Sequence, residues 1–595
     1  MNASIHNLDL QRMAFSKKFN RLMIAERVDE NEPECMYITV SRDDPAGVRY
    51  NLISFTPTVD GEPVDFTYTA TPWNVIVHTK AGDMELCYDT IPEVLRFRTK
   101  DGIGAQFFIN FSVHEMFVDR LDGSLEVGFT KMGQFLFDVT TGKQTHDNQW
   151  IGPRMCATPT TIKWAAENGL LEGYVHWDTE YVIKQPVNDF DECVEANKKD
   201  YEYWLSQFPV LPEKYNDVRE IAGYIFWISY QHELMALKEP IMYMMRCGII
   251  QRGTGWQQCD HAMACWRNQN FVFDIIHSFF SMQDEYGMIP DCANDRSIEF
   301  TATKPPFQGF ALTWILDHLG DENVDPKKAE LIYEPICRWV DWWRTFRDDD
   351  RDGLYSYNHG DESGLDDASI FAGGVPVDAP DLQAYLALTM EACGRLAKIL
   401  GKDEEAERHF ADSKKLIDKM IEVLWNGEKF VCYLEKEKRF YNSYSMCTYI
   451  PIILGKRLPQ EIIDKLAADI GNPQKFYNDF GFAGESKDSP LFNVGNGSFA
   501  LGMSMAVTQL LFTVGLYWSG KTELAAKNAK NWCDLSVDFG GPITDYIGNC
   551  KEEEDPDKTV IFDTRRVFPG GYVSWGTPVF FVLGDVLNEL TEKGE

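Results

Sequence analysis

The spacing of apolar residues changes once along this 595-residue chain, and that change constrains the fold more than any other feature. Up to about residue 188, short segments rich in β-branched and aromatic residues, such as VRYNLISF and AQFFINF, alternate with turns such as KAGD. Beyond that point apolar residues recur every three to four positions, the spacing of an amphipathic helix. The sequence therefore predicts a mainly α protein with an antiparallel β-sandwich at its N-terminal end.

The helical part contains helices paired through short turns, and no longer sequence repeat is evident. A run of antiparallel helix pairs this long favours a closed helical toroid over a bundle. We expect a sandwich domain over residues 1–188, a helical linker over residues 189–212 that stops at Pro209 and Pro212, and a toroid domain over residues 213–595.

The charge balance excludes two classes of partner. Lys and Arg number 57 against 92 Asp and Glu, a formal net charge of -35, whereas nucleic acids and anionic membranes need a cationic surface. We find no apolar run long enough to cross a bilayer and no apolar signal-peptide core at the N-terminus. The 14 cysteines then indicate reduced thiols of a cytoplasmic protein.

Neither a cofactor nor a metal is expected. The chain has no CxxC pair, and the adjacent residues Cys259, Asp260 and His261 have no second cluster at a ligand spacing. The stretch DDDRDG, which begins at Asp348, imitates the start of a calcium loop, but His359 stands where an EF-hand has glutamate. We interpret this stretch as a polar turn.

The stretch HGDESGLDDASIF, residues 359–371, is unusually acidic. Four carboxylates, at Asp361, Glu362, Asp366 and Asp367, lie within seven positions. Two interpretations are open at this point. The stretch is a solvated loop, or it is a site where like charges keep one carboxyl protonated and ready to donate its proton.

A second acidic run, CKEEEDPDK, contains Glu552 and precedes the Gly-rich, aromatic segment FPGGYVSWG. A charge run alone is usually a solvated face. Aromatic rings beside carboxylates, however, suit a sugar, because a pyranose ring offers an apolar face and hydroxyls. Glycoside hydrolysis needs two carboxyl groups on either side of the scissile bond, and the two acidic runs offer such a pair.

Several segments resemble one family of enzymes in the right order along the chain. ESGLD (residues 362–366) resembles the ESGxD signature of the (α/α)6-barrel glycosidases of family 63 and of the family 37 trehalases. Family 63 includes processing α-glucosidase I and mannosylglycerate hydrolase. TKPPFQGFAL, PVDAPDLQAYL, FAGESKDSPLF, EEEDP and GGYVSWG resemble further elements of the family.

The resemblance implies roles for individual residues. Asp366 takes the place of the general acid and Glu552 that of the general base in an inverting mechanism, although Glu553 and Glu554 stay alternatives for the base because Glu554 replaces the usual Tyr. The substrate-binding side chains implied by the resemblance are Trp256, Asp260, Lys304, Gln308, Glu362, Glu485, Tyr572 and Trp575. The usual WDSxF reads CDHAM here and YWRGPxW is replaced by FNVGNGSFA, so the sugar is not transferred from the family.

We therefore expect an inverting, exo-acting glycoside hydrolase for a small α-linked glycoside. An acidic barrel mouth disfavours anionic sugars, so an α-glucoside is preferred to a glycerate conjugate. The alternatives are a debranching-type α-1,6-glucosidase, an α-mannosidase, a mannosylglycerate hydrolase-like enzyme, or a catalytically silent sugar-binding protein on the same scaffold. The expected partner is a small carbohydrate, and the oligomeric state stays open.

Overall fold

The computed structural model describes residues 5–26, 35–42, 52–112, 114–152, 156–244, 252–494, 500–543, 546–549, 559–561, 574 and 576–592. Antiparallel strands make up its N-terminal part and helices dominate the rest, which confirms a mainly α protein with an N-terminal antiparallel region. The boundaries of the three expected domains stay predictions.

Two large antiparallel sheets and one separate pair of short strands form the N-terminal part. The strands of this part are β1 (Leu22–Glu26), β2 (Met36–Val40), β3 (Ile53–Val59), β4 (Glu62–Pro63), β5 (Thr67–Ala70), β6 (Val75–Thr79), β7 (Gly82–Tyr88), β8 (Val94–Thr99), β9 (Gly104–Ile109), β10 (Met116–Asp119), β11 (Leu125–Phe129), β12 (Gly133–Thr141), β13 (Lys143–His146), β14 (Trp150–Ile151), β15 (Cys156–Ala157), β16 (Thr160–Ala165) and β17 (Leu171–Asp178). One sheet has the order β1-β2-β3-β9-β16-β13, and the other β10-β11-β12-β17-β8-β7-β6-β5.

Aromatic rings fill the space between these two sheets. Phe97 of β8 meets Phe107 of β9 edge to face, with ring centroids 5.5 Å apart. Trp164 of β16 packs against both rings and is almost fully buried. Because β8 belongs to one sheet and β9 and β16 to the other, these apolar residues point into a core that the two sheets share.

Twelve α-helices follow within the described residues. They are α1 (Phe190–Leu205), α2 (Asn216–Ser229), α3 (Gly255–Ala264), α4 (Gln269–Phe280), α5 (Gln308–Leu319), α6 (Pro326–Phe346), α7 (Pro380–Ile399), α8 (Asp403–Leu424), α9 (Gln460–Ile470), α10 (Ala506–Trp518), α11 (Thr522–Phe539) and α12 (Thr577–Glu592). Helix α1 begins where Asp189 accepts a hydrogen bond from the backbone N–H of Glu192, which is the helix start expected for the linker.

Short strands connect the helices at their ends. They are Tyr230–Gln231 with Ile241–Met242; Gly253–Thr254, Cys292–Ala293 and Ile298–Glu299; Ser356–Tyr357, Val377–Asp378, Cys432–Leu434 and Arg439–Tyr441; Tyr477–Asn478 with Gly481–Phe482; and Ser504–Met505, Tyr546–Asn549 and Thr559–Ile561.

The helices differ in how much of their surface is buried. Residues 380–390 of α7 are buried all round, whereas α8 buries only one face, through residues such as Ala406, His409 and Met420. Helix α7 contacts α5, which is buried like α7, and α6 and α8, which each bury one face. No described helix combines the length and the apolar character that a membrane span requires.

The N-terminal sheets are tied to the helical part by a buried ion pair. The guanidinium of Arg42 lies 2.6 Å from a carboxylate oxygen of Asp295, and both side chains are almost fully buried. Asp295 also lies 3.3 Å from the Tyr243 hydroxyl. The loop that carries Asp295 is therefore held from both parts of the chain.

Gly309 of α5 sets the closest approach of α5 to α7. A Cβ atom at Gly309 would lie 2.1 Å from the backbone nitrogen of Thr389, and the Gly309 N–H donates to the Thr389 hydroxyl at 3.2 Å. We expect Gly309→Ala to lower the free energy of unfolding by about 2 kcal/mol, because backbone atoms cannot move aside as a side chain would. Gly152→Ala is the control: its Cβ would meet only Trp150 at 3.8 Å, so we expect a change below about 0.5 kcal/mol. Chemical denaturation measures both, and equal effects would contradict this account of the helix contact.

Candidate active site

The acidic stretch 359–371, called the acidic loop below, begins with a tight turn that ends at a glycine. Residues Gly360–Ser363 form a 3-10 turn that ends at Gly364, whose φ of 69° lies in the left-handed region. A Cβ atom at Gly364 would lie 2.2 Å from the ring of Trp256. Glycine is thus required twice at this position, by its backbone conformation and by the tryptophan ring against it.

Asp366 lies just after this glycine and is exposed to solvent. Its pKa is raised because surrounding protein atoms remove part of the water from its carboxyl group. The Lys304 ammonium opposes this shift, whereas Asp361, which hydrogen-bonds the carboxyl, and Asp291 add to it. The group therefore has the electrostatic environment of a carboxyl that keeps its proton.

Lys304 connects the carboxylates around Asp366. Its ammonium donates to the backbone oxygen of Asp361 at 3.0 Å and lies 3.1 Å from a carboxylate oxygen of Asp291. The KPPF segment and the acidic loop, predicted as separate elements, meet at this point. Asp291 was missed by the sequence analysis, because it stands alone in a loop with no motif around it.

Glu362 is engaged entirely within the protein. Arg347 donates to one of its carboxylate oxygens at 2.5 Å, and the backbone N–H of Asn358 donates to the other at 2.6 Å. The side chain is only 3% exposed. We interpret Glu362 as the anchor of the acidic loop, and its predicted contact with substrate stays a prediction.

Three other predicted side chains lie in the buried layer beneath the loop. Trp256 stacks on Phe307 with centroids 5.2 Å apart, and Gln308 accepts a hydrogen bond from the Trp339 indole at 3.2 Å. Asp260 is 1% exposed, and burial raises its pKa well above the usual range although the Trp256 indole opposes the shift by a hydrogen bond. Burial of this kind favours the neutral form of a carboxyl.

Glu485 is buried among serine hydroxyls. Ser369 donates to one carboxylate oxygen at 2.8 Å and Ser489 to the other at 2.5 Å. Burial raises the pKa of Glu485 to about 7, although both hydroxyls oppose the shift. Since Ser369 belongs to the acidic stretch, Glu485 ties the segment FAGESKDSPLF to the loop that carries Asp366.

Three predicted residues, Glu552, Tyr572 and Trp575, lie outside the described residues, as do Glu553 and Glu554. Their roles as base and as sugar-binding side chains stay predictions.

One group of carboxylates among the described residues has the spacing of a metal site. Ligand oxygens of Asp348, Asp350 and Asp352 lie within 4.8 Å of one another, and such oxygens suit a divalent cation. Asp350 and Asp352 also accept hydrogen bonds from the backbone of the same turn, at 3.2 Å and 2.7 Å. These bonds are typical of a polar turn, which is the interpretation that the sequence favours.

Comparisons with known proteins identify the kind of domain that carries these residues. Residues 253–535 match the model of the mannosylglycerate hydrolase MGH1-like glycoside hydrolase domain. These residues make up just under half of the chain, and the chain is a glycoside hydrolase. This confirms the resemblance inferred from ESGLD and the elements around it.

Solved structures resemble the chain at low sequence identity. The GH63 mannosylglycerate hydrolase from Thermus thermophilus in complex with Tris and D-glycerate is 14% identical, with a TM-score of 0.50, over 61% of this chain and 99% of that chain. An uncharacterized conserved protein from Thermus thermophilus is also 14% identical, with a TM-score of 0.47, over 61% of this chain and 98% of that chain. No curated protein sequence matches the enzyme.

The Arg347–Glu362 pair generates a stability prediction. Because Glu362 is buried, Arg347→Met leaves an uncompensated charge, and we expect the free energy of unfolding to fall by about 3 kcal/mol. Adding Glu362→Gln to the same protein should recover much of that loss, since the unpaired charge is then removed. Chemical denaturation of the single and double variants measures the difference.

Lys414→Met is the control for this pair. Lys414 pairs with Asp418 on the exposed face of α8, so its loss should cost less than about 1 kcal/mol. A double variant as unstable as Arg347→Met would show that the shape of the arginine, and not its charge, holds the loop.

Proposed function

We propose that this glycoside hydrolase is an inverting, exo-acting enzyme for a small α-linked glycoside, with Asp366 as general acid and Glu552 as general base. The observation that carries the proposal is the surroundings of Asp366. Its carboxyl is partly desolvated and lies beside Asp361 and Asp291, which together raise its pKa. A loop that kept its full hydration would lack the first of these influences.

The mechanism needs a general acid that donates one proton and a general base that removes another. Asp366 donates its proton to the glycosidic oxygen as the bond to the leaving group breaks. Glu552 removes a proton from a water that attacks the anomeric carbon from the opposite face, which inverts the configuration. The two carboxyl groups of such a pair lie roughly 6.5–9.5 Å apart, to leave room for the water.

We also infer that the helices close into an (α/α)6 toroid. Helix α3 contacts α5, α5 contacts α7, and α7 contacts the broken helix Ile450–Arg457. That segment contacts α10, α10 contacts α12, and α12 contacts α3 again. A series of buried helices that returns to its first member supports a ring, with the expected sandwich and linker domains before it.

A neutral α-glucoside is the preferred substrate, because among the described residues two carboxylates, Asp291 and Asp361, act on Asp366 and one cation, Lys304, opposes them. A glycerate conjugate is the second candidate, favoured by the name of the matching domain. A small carbohydrate as partner and a cytoplasmic location stay predictions.

The anomer that the enzyme releases tests the reaction directly. Purified protein is incubated with a panel of α- and β-linked disaccharides, aryl glycosides and mannosylglycerate, and NMR follows the product. We expect the inverted anomer from an α-linked member, and a loss of kcat by several orders of magnitude in both Asp366→Asn and Glu552→Gln. Retention of configuration, or full activity in either variant, would contradict the assigned roles.

The thermal stability of Asp366→Asn separates loss of chemistry from loss of fold. The pKa of Asp366 is raised in the folded state, so above that pKa its ionised form weakens folding relative to the unfolded chain. We expect Asp366→Asn to have an equal or higher Tm at neutral pH. The difference should vanish at low pH, where the carboxyl is protonated in both states.

Two neighbours of Asp366 should shift the pH dependence of kcat/KM in opposite directions. Lys304→Met removes the cation that lowers the pKa of Asp366, so the alkaline limb should move to higher pH. Asp361→Asn removes a repelling charge, so the same limb should move to lower pH. Lys414→Met, at an exposed pair on α8, serves as the charge-matched control and should leave the limb in place. If both variants moved the alkaline limb in the same direction, the result would contradict the role of Asp366 as the general acid.

A further inference from the structure

Two thiols and an imidazole converge on three adjacent helices, outside the acidic loop. Cys337 lies on α6, Cys393 on α7 and His409 on α8. The sulfur of Cys337 lies 3.7 Å from Nε2 of His409. The Cys393 thiol donates a hydrogen bond to the sulfur of Cys337. The glycosidase mechanism uses none of these groups.

Cys337 differs from the other cysteines that the structure describes. The structure describes the side chains of eleven cysteines; ten of them are buried, and Cys337 is partly exposed. Burial raises the pKa of buried thiols such as Cys259 and Cys393 well above the usual range. The hydrogen bond from Cys393, and then His409, lower the pKa of Cys337 to about 6, so this partly exposed thiol loses its proton more readily than the buried ones.

Two further side chains hold the imidazole in place. The Tyr333 hydroxyl donates to a carboxylate oxygen of Glu405 at 2.5 Å and lies 3.4 Å from Nε2 of His409. His409 is 5% exposed, so its ring is fixed between α6 and α8 by packing and by this contact. Nε2 therefore faces the Cys337 sulfur and the tyrosine oxygen together.

The arrangement is unlike a metal site. Cys337, Cys393 and His409 do not bring three ligand atoms within 4.8 Å of one another, a condition that the described residues meet only at Asp348, Asp350 and Asp352. Two thiols with one lowered pKa and one buried partner are instead the arrangement of an attacking and a resolving cysteine.

We propose that Cys337 and Cys393 form a redox-active dithiol that hydroperoxides oxidise to a disulfide between α6 and α7, with His409 accepting and returning the proton. Cys337 is the attacking residue because it is accessible, and Cys393 is the resolving residue because it is buried against it. This proposal does not depend on the glycosidase mechanism.

The chemistry balances in two steps. His409 takes the Cys337 proton, and the thiolate attacks one oxygen of the hydroperoxide; an S–O bond forms, the O–O bond breaks, and the leaving hydroxide or alkoxide takes the proton back from His409. Sulfur is oxidised by two electrons to a sulfenic acid as the peroxide is reduced. The Cys393 sulfur then attacks the sulfenic sulfur, an S–S bond forms, and hydroxide leaves with the thiol proton as water.

The disulfide has a structural consequence for the candidate active site. The segment between Cys337 and Cys393 contains the whole acidic stretch 359–371, with Asp366. A covalent link at the ends of this segment limits the motion of α6 relative to α7, which begins shortly after the stretch. Oxidation at this site therefore acts on the segment that presents the candidate acid.

The test treats the reduced, full-length protein with hydrogen peroxide under native conditions. Intact mass and peptide mapping after thiol alkylation follow the products with time. We expect loss of two hydrogens and a Cys337–Cys393 disulfide before any other cysteine reacts. In Cys393→Ala a dimedone adduct should accumulate at Cys337, and in Cys337→Ala the rapid phase should be absent.

Two further variants separate reactivity from folding. His409→Gln should slow the rapid phase by about tenfold, since general acid–base help of this kind is worth at least that much. Cys533→Ala, which removes a fully buried thiol on α11, should leave it unchanged. The proposal is overturned if Cys337 reacts no faster than the buried cysteines in the folded protein, or if Cys393→Ala gives no sulfenic acid at Cys337.

Discussion

The buried ion pair between Arg347 and Glu362 is the interaction on which the candidate active site depends. It satisfies both oxygens of a carboxylate that is almost completely removed from water, together with the backbone of Asn358. A buried carboxylate without such partners would be strongly destabilising, so the pair holds the turn in one conformation. Gly364, pressed against Trp256, then directs the chain so that Asp366 faces solvent.

The electrostatics around Asp366 follow from this placement. The carboxylates of the acidic stretch repel one another, which favours their separation in water. Lys304 counters this repulsion, because it contacts the backbone of Asp361 and the carboxylate of Asp291. Lys304 thus holds the described carboxylates together, and the pKa of Asp366 stays raised although this cation opposes the shift. Asp291 lies four residues before Asp295, which pairs with Arg42, so the N-terminal part of the chain supports the loop that carries it.

Local patterns made much of the fold predictable. Alternation of apolar residues in segments such as EVLRFRT and AQFFINF corresponds to β8 and β9, and the change near Asp189 corresponds to the start of α1. The acidic stretch was predictable as a site because its carboxylates are neighbours in sequence. Glu362 shows the limit of prediction from local patterns. The family resemblance implies a sugar-binding role for this residue, yet Arg347 donates a hydrogen bond to one of its carboxylate oxygens.

The sequence by itself determined the class of each element, the type of enzyme through ESGLD and its companion motifs, and the crowding of charge near Asp366. These properties depend on residues close together along the chain. Only the tertiary structure decided which distant groups meet: Lys304 and Asp291 near Asp366, Ser369 at Glu485, and His409 at Cys337. Contacts between loops and helix faces leave no periodic signal, because packing and not backbone geometry selects them.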